Sequence, residues 1–432
     1  MMKTKIYKLG DITKNISDGV HNTVIDDPNG ECFLLSAKNI KNGIVSYDYT
    51  DRRISKEIRI KLNKRTKMEP GDVAITTVGT IGELAVLKNN CVDFEFQRSV
   101  GIIKTDEKIL YPIFLFYILK DSSYQNYFKA LAIGAAQQCI FLKTLKSLKV
   151  QIPNLYIQVK IANVLSKYDE LIGNNNQRIK LLEQMAEELY KEWFVRFRFS
   201  EYQKIKFKDS KLGKIPESFE TINVYKVLDY FVGGGWGNDN PSDEFPIDAY
   251  VIRGADFPEI SKSDTSTCPY RFHKISNYKP RKLKENDIVF EISGGTQEQP
   301  VGRVVLVTKG ILDQLDDKAI CASFCKLLRV NESVTPLYFY YWLKYLYDTR
   351  IIEQFQLQST GIINFKFEYF LRKGPVLLPP YSLMEDFDRR IKLIRDEIDS
   401  LAKSNSNLIK QRDSLLPRLM SGKLSVEGKE IV

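Results

Sequence analysis

Two stretches of the chain carry a heptad pattern of apolar positions, with steps that alternate between four and three residues. A pattern sustained over this many turns predicts two helices of about 40 residues, each packed along its length against a partner helix. The positions of the first seam are Ile161, Leu165, Tyr168, Ile172, Asn175, Ile179, Leu182, Ala186, Leu189 and Trp193. Those of the second seam are Phe387, Ile391, Ile394, Ile398, Leu401, Asn405, Leu408, Arg412, Leu415 and Leu419.

Each seam contains one asparagine, and these two residues indicate the direction of pairing. Parallel pairing would set Asn175 and Asn405 against aliphatic side chains, at a cost of roughly 1–3 kcal/mol for each buried amide. Antiparallel pairing places Asn175 opposite Asn405 and Trp193 opposite Phe387, so that the amides satisfy each other. We therefore predict an antiparallel intramolecular coiled coil, with Pro417 ending the second helix before the Leu419 layer.

A seam of about 32 residues at 1.5 Å per residue would form a rod of about 50 Å, which would hold two globular modules apart. The alternative interpretation is that each helix packs on its own globular domain or on another chain.

The segments that precede the two helices repeat each other at an offset of 215 to 226 residues. "EPGDVAI" (69–75) matches "KENDIVF" (284–290), and each predicts a strand followed by a glycine turn and a second strand. "LYPIFLFYILK" (110–120) matches "VTPLYFYYWLK" (334–344), and both predict a buried helix opened by proline. The glycine-rich "FVGGGWGND" predicts a loop.

The repeat also explains "VLLPPYSL" (376–383), whose Pro-Pro-Tyr turn is similar to the catalytic turn of amino-directed DNA methyltransferases. That chemistry needs an Asp or Asn before the prolines to accept a hydrogen bond from the target amine, and Leu378 stands there. The other copy of the turn reads Ile152-Pro153-Asn154. We interpret both as structural turns that start the long helices.

Composition is that of a globular protein with an anionic partner. The chain has 432 residues, 43% hydrophobic, and a net charge of +10, which favours binding to nucleic acid. No apolar run is long enough to span a membrane and the N-terminus lacks a secretory signal, so we expect a cytoplasmic protein. The six cysteines contain no C-x-x-C pair, so we expect buried thiols and no metal site, with Cys321 and Cys325 in one buried strand.

Positive charge gathers at matching places of the two copies. "RRISKEIRIKLNKRTK" (52–67) has eight basic residues and one acidic, and "YRFHKISNYKPRKLK" (270–284) has six basic residues and none acidic. Basic groups neutralise phosphates, and neighbouring polar groups can reach base edges, although a charge run can also be only a solvated face. The residues that we expect to contact DNA are Lys38, Asn39, Lys56, Arg59, Lys64, Arg65, Thr77, Gln97 and Arg98 in the first copy, and Arg253, Arg271, His273, Lys274, Arg281, Lys282, Gln297 and Gln299 in the second.

No motif for catalysis accompanies this charge. The sequence has no phosphate-binding G-x-x-x-x-G-K-[ST], no dinucleotide G-x-G-x-x-G, no H-E-x-x-H and no G-x-S-x-G. We therefore predict a DNA reader without a catalytic site.

This architecture resembles the specificity subunit of type I restriction-modification enzymes over essentially the whole chain. The resemblance rests on the two modules, on "IGAAQQCIFLKTLKSLKVQIPNLYIQVKIANVLSKYDELI" (133–172) with its Gly-x-x-Gln and Ile-Pro elements, and on "LIKQRDSLLPRLMSGKLSV" (408–426). The second copy departs from the pattern, because "STGIINFKFEYF" (359–370) lacks the glutamine and Glu385 replaces the Gln158 type.

The resemblance implies an α+β fold with two similar mixed α/β target-recognition domains, 1–152 and 201–378, related as a pseudo-two-fold tandem repeat. They would be separated by spacer helices in 153–200 and in 379–432, the latter with a C-terminal tail. Each domain would read one half of a split DNA target. Two methyltransferase subunits that use S-adenosylmethionine to methylate adenine N6 would dock on the chain, and an endonuclease subunit would add cleavage dependent on ATP and magnesium.

Two other functions fit parts of the sequence. A methyltransferase with reader and catalyst in one chain is opposed by Leu378 and by the absence of a cofactor loop. A coiled-coil adaptor or clamp without sequence reading would explain the helices and leave the basic segments unexplained.

Overall fold

The structure is a computed structural model that describes residues 3–133, 139–200, 202–210, 212–296, 299–358 and 363–426. The chain forms two compact units. The first unit comprises Met1–Leu171 and Leu408–Val432, and the second comprises Ile172–Asn407. No helix within the described ranges is long and apolar enough to cross a membrane.

The first unit is built on a four-stranded antiparallel sheet with the strand order Thr13–Asp18, Val100–Thr105, Val73–Thr76, Leu84–Val86. A three-stranded sheet sets Cys32–Leu35 between the antiparallel Arg53–Ile54 and the parallel Phe94–Phe96. Two further strand pairs are Lys5–Lys8 with Lys149–Ile152 and Ile40–Lys41 with Ile44–Val45. The shorter helices are Lys56–Thr66, Pro112–Lys120, Ser122–Ile133 and Leu142–Ser147.

The second unit repeats this plan. Its four-stranded sheet has the order Leu228–Gly233, Cys325–Val330, Ile288–Glu291, Val304–Leu306. Ile247–Ile252 lies between the antiparallel Tyr270–His273 and the parallel Ala319–Cys321, and Glu220–Asn223 pairs with Pro375–Leu378. The shorter helices are Phe257–Ile260, Ile275–Arg281, Lys309–Gln314, Pro336–Asp348 and Phe367–Lys373. The additional strands are Phe207–Ser210, Gly213–Pro216, Ser293–Gly295, Gln356–Gln358 and Ile363–Phe365.

The repeat predicted from the sequence offsets is therefore confirmed at the level of topology. The strand, glycine turn and strand after Asp72 form the hairpin Val73–Thr76 with Leu84–Val86, and Ile288–Glu291 pairs with Val304–Leu306 in the same way. The carboxylate before each hairpin is buried and ion-paired: Asp72 to Lys104 at 3.1 Å and Asp287 to Arg329 at 2.7 Å.

Both proline-opened helices are buried, as predicted, and each long helix caps one of them. The Gln158 side chain accepts a hydrogen bond from the Tyr111 N–H at 2.9 Å, just before the helix Pro112–Lys120. In the second unit Asp388 has this role, accepting from Thr335 Oγ1 at 2.8 Å and from the Tyr338 N–H at 3.1 Å. The expectation that Glu385 replaces Gln158 was wrong, because Glu385 lies on the exposed face of its helix.

The two long helices, Leu155–Tyr190 and Tyr381–Met420, pair in antiparallel fashion within the second unit. The Asn175 Nδ2 donates to Asn405 Oδ1 at 2.9 Å, and the Trp193 and Phe387 rings lie 6.0 Å apart. Ile179 packs with Leu401 and Ile398 between these layers. The predicted direction and the predicted asparagine layer are confirmed. Asn405 also donates to Asn176 Oδ1 at 2.9 Å, a partner that the heptad pattern does not reveal.

Within the first unit the seam differs from the prediction at two places. Arg412, placed opposite Tyr168 by the heptads, forms an ion pair with Asp169, because a guanidinium needs a carboxylate when it leaves water. The helix also continues through Pro417 to Met420, which corrects the predicted stop. Pro417 is exposed, whereas Leu416 and Leu419 are buried, and Gly422 with φ of +69° follows the helix end.

The cysteine segment also corrects a prediction. "AICASFCKLL" forms two strands, Ala319–Cys321 and Cys325–Val330, which belong to different sheets. Both thiols are buried, and burial raises the pKa of the Cys321 thiol to about 12. The chain changes sheets at residues 322–324.

Candidate nucleic-acid interface

The helix Lys56–Thr66 presents a basic face in the first unit. Ser55 caps its start by accepting from the Ile58 N–H at 3.3 Å, and Arg59 and Thr66 turn inward. The outward face carries Lys56, Lys61, Lys64 and the following Lys67, all exposed. Within the described ranges no carboxylate lies within ion-pair distance of these four lysines, so they are available to an anionic partner.

Arg65 leaves this face and fixes the turn that follows the strand Thr13–Asp18. It donates from Nη2 to the Asp18 carbonyl oxygen at 2.7 Å and to that of Gly19, and from Nη1 to the Asp18 carboxylate at 3.3 Å. Gly19 lies so close to the crossing segment that a Cβ there would be 2.2 Å from the carbonyl oxygens of Phe96 and Gln97. Only glycine fits at this position.

Backbone hydrogen bonds complete the arrangement. The Gly19 N–H donates to the Val100 oxygen at 2.9 Å, the Val20 N–H to the Phe96 oxygen at 2.7 Å and the Arg98 N–H to the Val20 oxygen at 3.0 Å. We call residues 18–21, the segment 97–99 and Arg65 the first clasped turn. Gln97 and Arg98, both predicted to contact DNA, lie here, with Arg98 exposed and Gln97 half-buried.

Three predicted contacts of the first copy are buried, and the structure corrects them. The Asn39 side chain is 4% exposed, and its amide donates to the Ser46 oxygen and to Asp51 at 3.0 Å each. Arg59 donates to the carbonyl oxygens of Cys91 and Phe94, and Thr77 is buried beside Arg98. These groups hold the fold together and do not face a ligand. Lys38 is exposed and pairs with Asp51 at 2.9 Å.

In the second copy most predicted basic contacts are held in place by carboxylates. Arg253 forms two hydrogen bonds with the buried Asp256, at 2.8 and 2.9 Å. Arg271 pairs with Asp239 and stacks 4.6 Å from the Trp236 ring. Lys274 pairs with Glu244 and Lys282 with Asp317.

The other predicted contacts of the second copy, apart from Arg281, are His273, Gln297 and Gln299. His273 is fully buried, which lowers its pKa and corrects its assignment as a contact residue. Gln299 is exposed. Gln297 lies outside the described residues, as do positions 134–138 of the Gly-x-x-Gln element and positions 359–362.

Arg281 has the same position as Arg65 and binds the carbonyl oxygens of the two equivalent turn residues, Gly233 and Gly234. Its Nε donates to the Gly233 oxygen at 2.8 Å, and the N–H groups of Gly234 and Gly235 donate to Cys325 and Cys321 oxygens at 2.9 Å each. A Cβ on Gly234 would be 2.1 Å from the Ala322 oxygen. Residues 233–236, the segment 322–324 and Arg281 form the second clasped turn.

Sequence reasoning missed the side chains that these turns expose: His21 at 56%, Trp236 at 39% and Phe324 at 65%. A signal was present, because Gly19 and Gly234 are separated by the same 215 residues as "EPGDVAI" and "KENDIVF". Within the described part of the chain, no group of three or more His, Cys, Asp or Glu side chains could hold a metal ion.

Comparison with known proteins finds similarity to one family in the first part of the chain and to specificity subunits over most of its length. Residues 1–184 match the family described as the type I restriction modification DNA specificity domain. The MjaIX specificity subunit of Methanocaldococcus jannaschii is 24% identical over 403 residues, covering 92% of this chain and 88% of that subunit. The HindI specificity subunit of Haemophilus influenzae is 22% identical over 476 residues, covering 98% of this chain and 100% of that subunit.

A solved structure agrees with the fold. The crystal structure of the type I restriction-modification S subunit from M. genitalium matches with a TM-score of 0.51 at 17% identity, covering 97% of this chain and 96% of that one. The duplicated α+β units with two long antiparallel helices therefore share their fold with that S subunit. The chain is therefore similar to type I restriction-modification specificity subunits along most of its length.

Proposed function

We propose that this chain is the non-catalytic subunit that gives a type I restriction-modification complex its DNA sequence specificity. The observation that carries the proposal is the clasped turn, which is present once in each unit. In the first unit it is bordered by the helix Lys56–Thr66, whose three exposed lysines and the C-cap Lys67 form no ion pair within the described ranges. A chain with two such surfaces can read two short half-sequences of one target.

The long helices would set the spacing between the half-sequences and provide docking sites for two methyltransferase subunits. Catalysis would belong to those partners, which would bind S-adenosylmethionine and methylate adenine N6. An endonuclease subunit would supply cleavage dependent on ATP and magnesium. In support, the sequence contains none of the nucleotide-binding or hydrolase motifs that such chemistry needs.

The test is a genome-wide map of adenine methylation in a methylation-free host that carries the cognate methyltransferase subunit, with and without this chain. We expect a new motif of two short half-sites around a fixed unspecified gap, only when the chain is present. Methylation that does not depend on the chain, in cells where the two proteins co-purify, would contradict the proposal.

The salt dependence of DNA affinity distinguishes the adaptor function from the proposed DNA-reading function. A reader with Z phosphate contacts loses DNA affinity with a log–log slope of about −0.9Z as salt rises, whereas an adaptor without DNA contacts shows no such slope. The four unpaired lysines of the helix Lys56–Thr66 and its C-cap favour the reader.

A further inference from the structure

The two clasped turns share three equivalent backbone hydrogen bonds. In the first, the Gln97 N–H donates to the Leu35 oxygen at 2.8 Å, and in the second the Ala322 N–H donates to the Ile252 oxygen at 2.9 Å. Each has one glycine pressed against a crossing strand and one helix arginine bound to the turn. The frame is thus fixed by contacts that allow little variation.

Equivalent internal positions of the two units keep their chemical type. Asn39 and Asp256 both accept the N–H three residues before them, from Ser36 and Arg253, at 2.9 Å each. The glycine and arginine of each clasped turn are also the same in both units. At these positions, which hold the frame of the clasped turn, the second copy therefore retains the chemistry of the first.

The exposed positions of the clasped turns do the opposite. The first presents His21, Gln97 and Arg98, and the equivalent positions in the second are Trp236, Ala322 and Ser323, followed by the exposed Phe324. One frame therefore displays hydrogen-bonding side chains in the first unit and aromatic side chains in the second. Reading two different half-sequences requires this combination of one backbone frame with different exposed side chains.

We propose that the clasped turns are the base-reading elements, with His21, Gln97 and Arg98 specifying one half-site by hydrogen bonds and Trp236 and Phe324 specifying the other by apolar contact. Arginine binds the guanine edge and glutamine the adenine edge through paired hydrogen bonds, so the first half-site should contain purines fixed in this way. Trp and Phe contact thymine methyl groups or wedge between base steps, so the second should depend on A·T pairs or a deformable step. This inference rests on the proposed function.

The test is selection of bound duplexes from a random DNA pool by the full-length chain in its complex with the methyltransferase subunits. Arg98→Ala should relax one base position of one half-site, with a loss of discrimination of roughly 10- to 100-fold. Phe324→Ala should change only the other half-site. The controls are Arg372→Ala, an exposed arginine outside the turns, and Phe141→Ala, whose ring is 65% exposed like that of Phe324.

A conservative variant separates base reading from phosphate binding. Arg98→Lys keeps the charge and loses the paired hydrogen bonds. It should therefore relax the same base position as Arg98→Ala, while the Arg98→Lys complex binds DNA more tightly than the Arg98→Ala complex does. Unchanged half-sites in Arg98→Ala and Phe324→Ala, a change of both half-sites by one of them, or full specificity in Arg98→Lys would each overturn the inference. A wild-type complex that selects no bipartite sequence would instead overturn the proposed function.

Discussion

Glu95 shows how one buried residue can make the stability of the first unit depend on pH. It lies fully buried in the strand Phe94–Phe96, and burial raises the pKa of its carboxyl to about 7. Its oxygens accept hydrogen bonds from Thr66 Oγ1 at 2.9 Å and from the Phe96 N–H at 3.2 Å. The equivalent residue of the second unit, also beside the middle strand of its sheet, is Ile320.

Because the folded protein holds this proton more tightly than the unfolded chain does, the stabilisation is complete below about pH 4.5 and is lost as pH rises through about 7. We expect the unfolding free energy of the wild type, relative to Glu95→Gln, to fall by up to about 3 kcal/mol between pH 5 and pH 8. Urea unfolding at several pH values measures this. Glu107→Gln, at an exposed glutamate, is the control, and a difference that does not vary with pH would contradict the prediction.

At the residue scale the sequence indicated which side chains are polar but not which way they face. Asn39 and His273 have side chains that could hydrogen-bond to bases. The Asn39 amide is instead bound to the Ser46 carbonyl oxygen, and the His273 ring is buried in a strand. Arg65, Gln97 and Arg98 were predicted from the same kind of charge and spacing, and they come together at the first clasped turn. Tertiary contacts between distant segments decide the difference, and local pattern does not contain them.

At the scale of elements, the asparagine layer of the long helices provides a test of pairing specificity. Asn405 is 8% exposed and bonds both Asn175 and Asn176. Asn405→Leu alone should destabilise the second unit by about 1–2 kcal/mol, since it leaves the facing amide without its partner. Adding Asn175→Leu should recover part of this loss, because two leucines pack in the seam.

A double-mutant cycle by thermal or urea unfolding measures the coupling, which we expect to be about 1 kcal/mol. The control pair is Arg178→Ala with Glu397→Ala, an exposed ion pair 2.6 Å long on the same two helices, where the coupling should be below about 1 kcal/mol. Additive effects of the two asparagine substitutions would show that the layer does not act as a unit.

Elements with a strong period were predictable, and their ends were not. The heptad spacing was sufficient to predict both long helices, because burial of a continuous apolar seam dominates the free energy of such helices. Their antiparallel direction followed from the positions of Asn175 and Asn405 in the two seams. The second long helix continues to Met420 instead, because Leu416 and Leu419 are buried while Pro417 lies on the exposed side of the helix. The prediction of one strand for the cysteine segment failed for a similar reason, since its change of sheets at residues 322–324 is imposed by the fold around it.

At the scale of the whole molecule, the proposed spacing role of the long helices can be tested by lengthening both of them together. Duplicating residues 175–181 and 399–405 inserts one heptad in each helix and keeps the alternation of four and three in both seams. Seven residues add about 10 Å to a helix, which is about three base pairs of DNA. We expect the gap in the methylated motif to widen by about three base pairs while both half-sequences stay the same.

Duplicating residues 175–181 alone is the matched control, because it lengthens only one of the two helices. The seam positions on one side of the insertion then no longer face their original partners. This variant should lose stability and should not yield a clean wider gap. Methylation mapping in the host described above reads both variants. If the double insertion changed a half-sequence or left the gap unaltered, the clasped turns could still read bases, but the long helices would not set the distance between the half-sites.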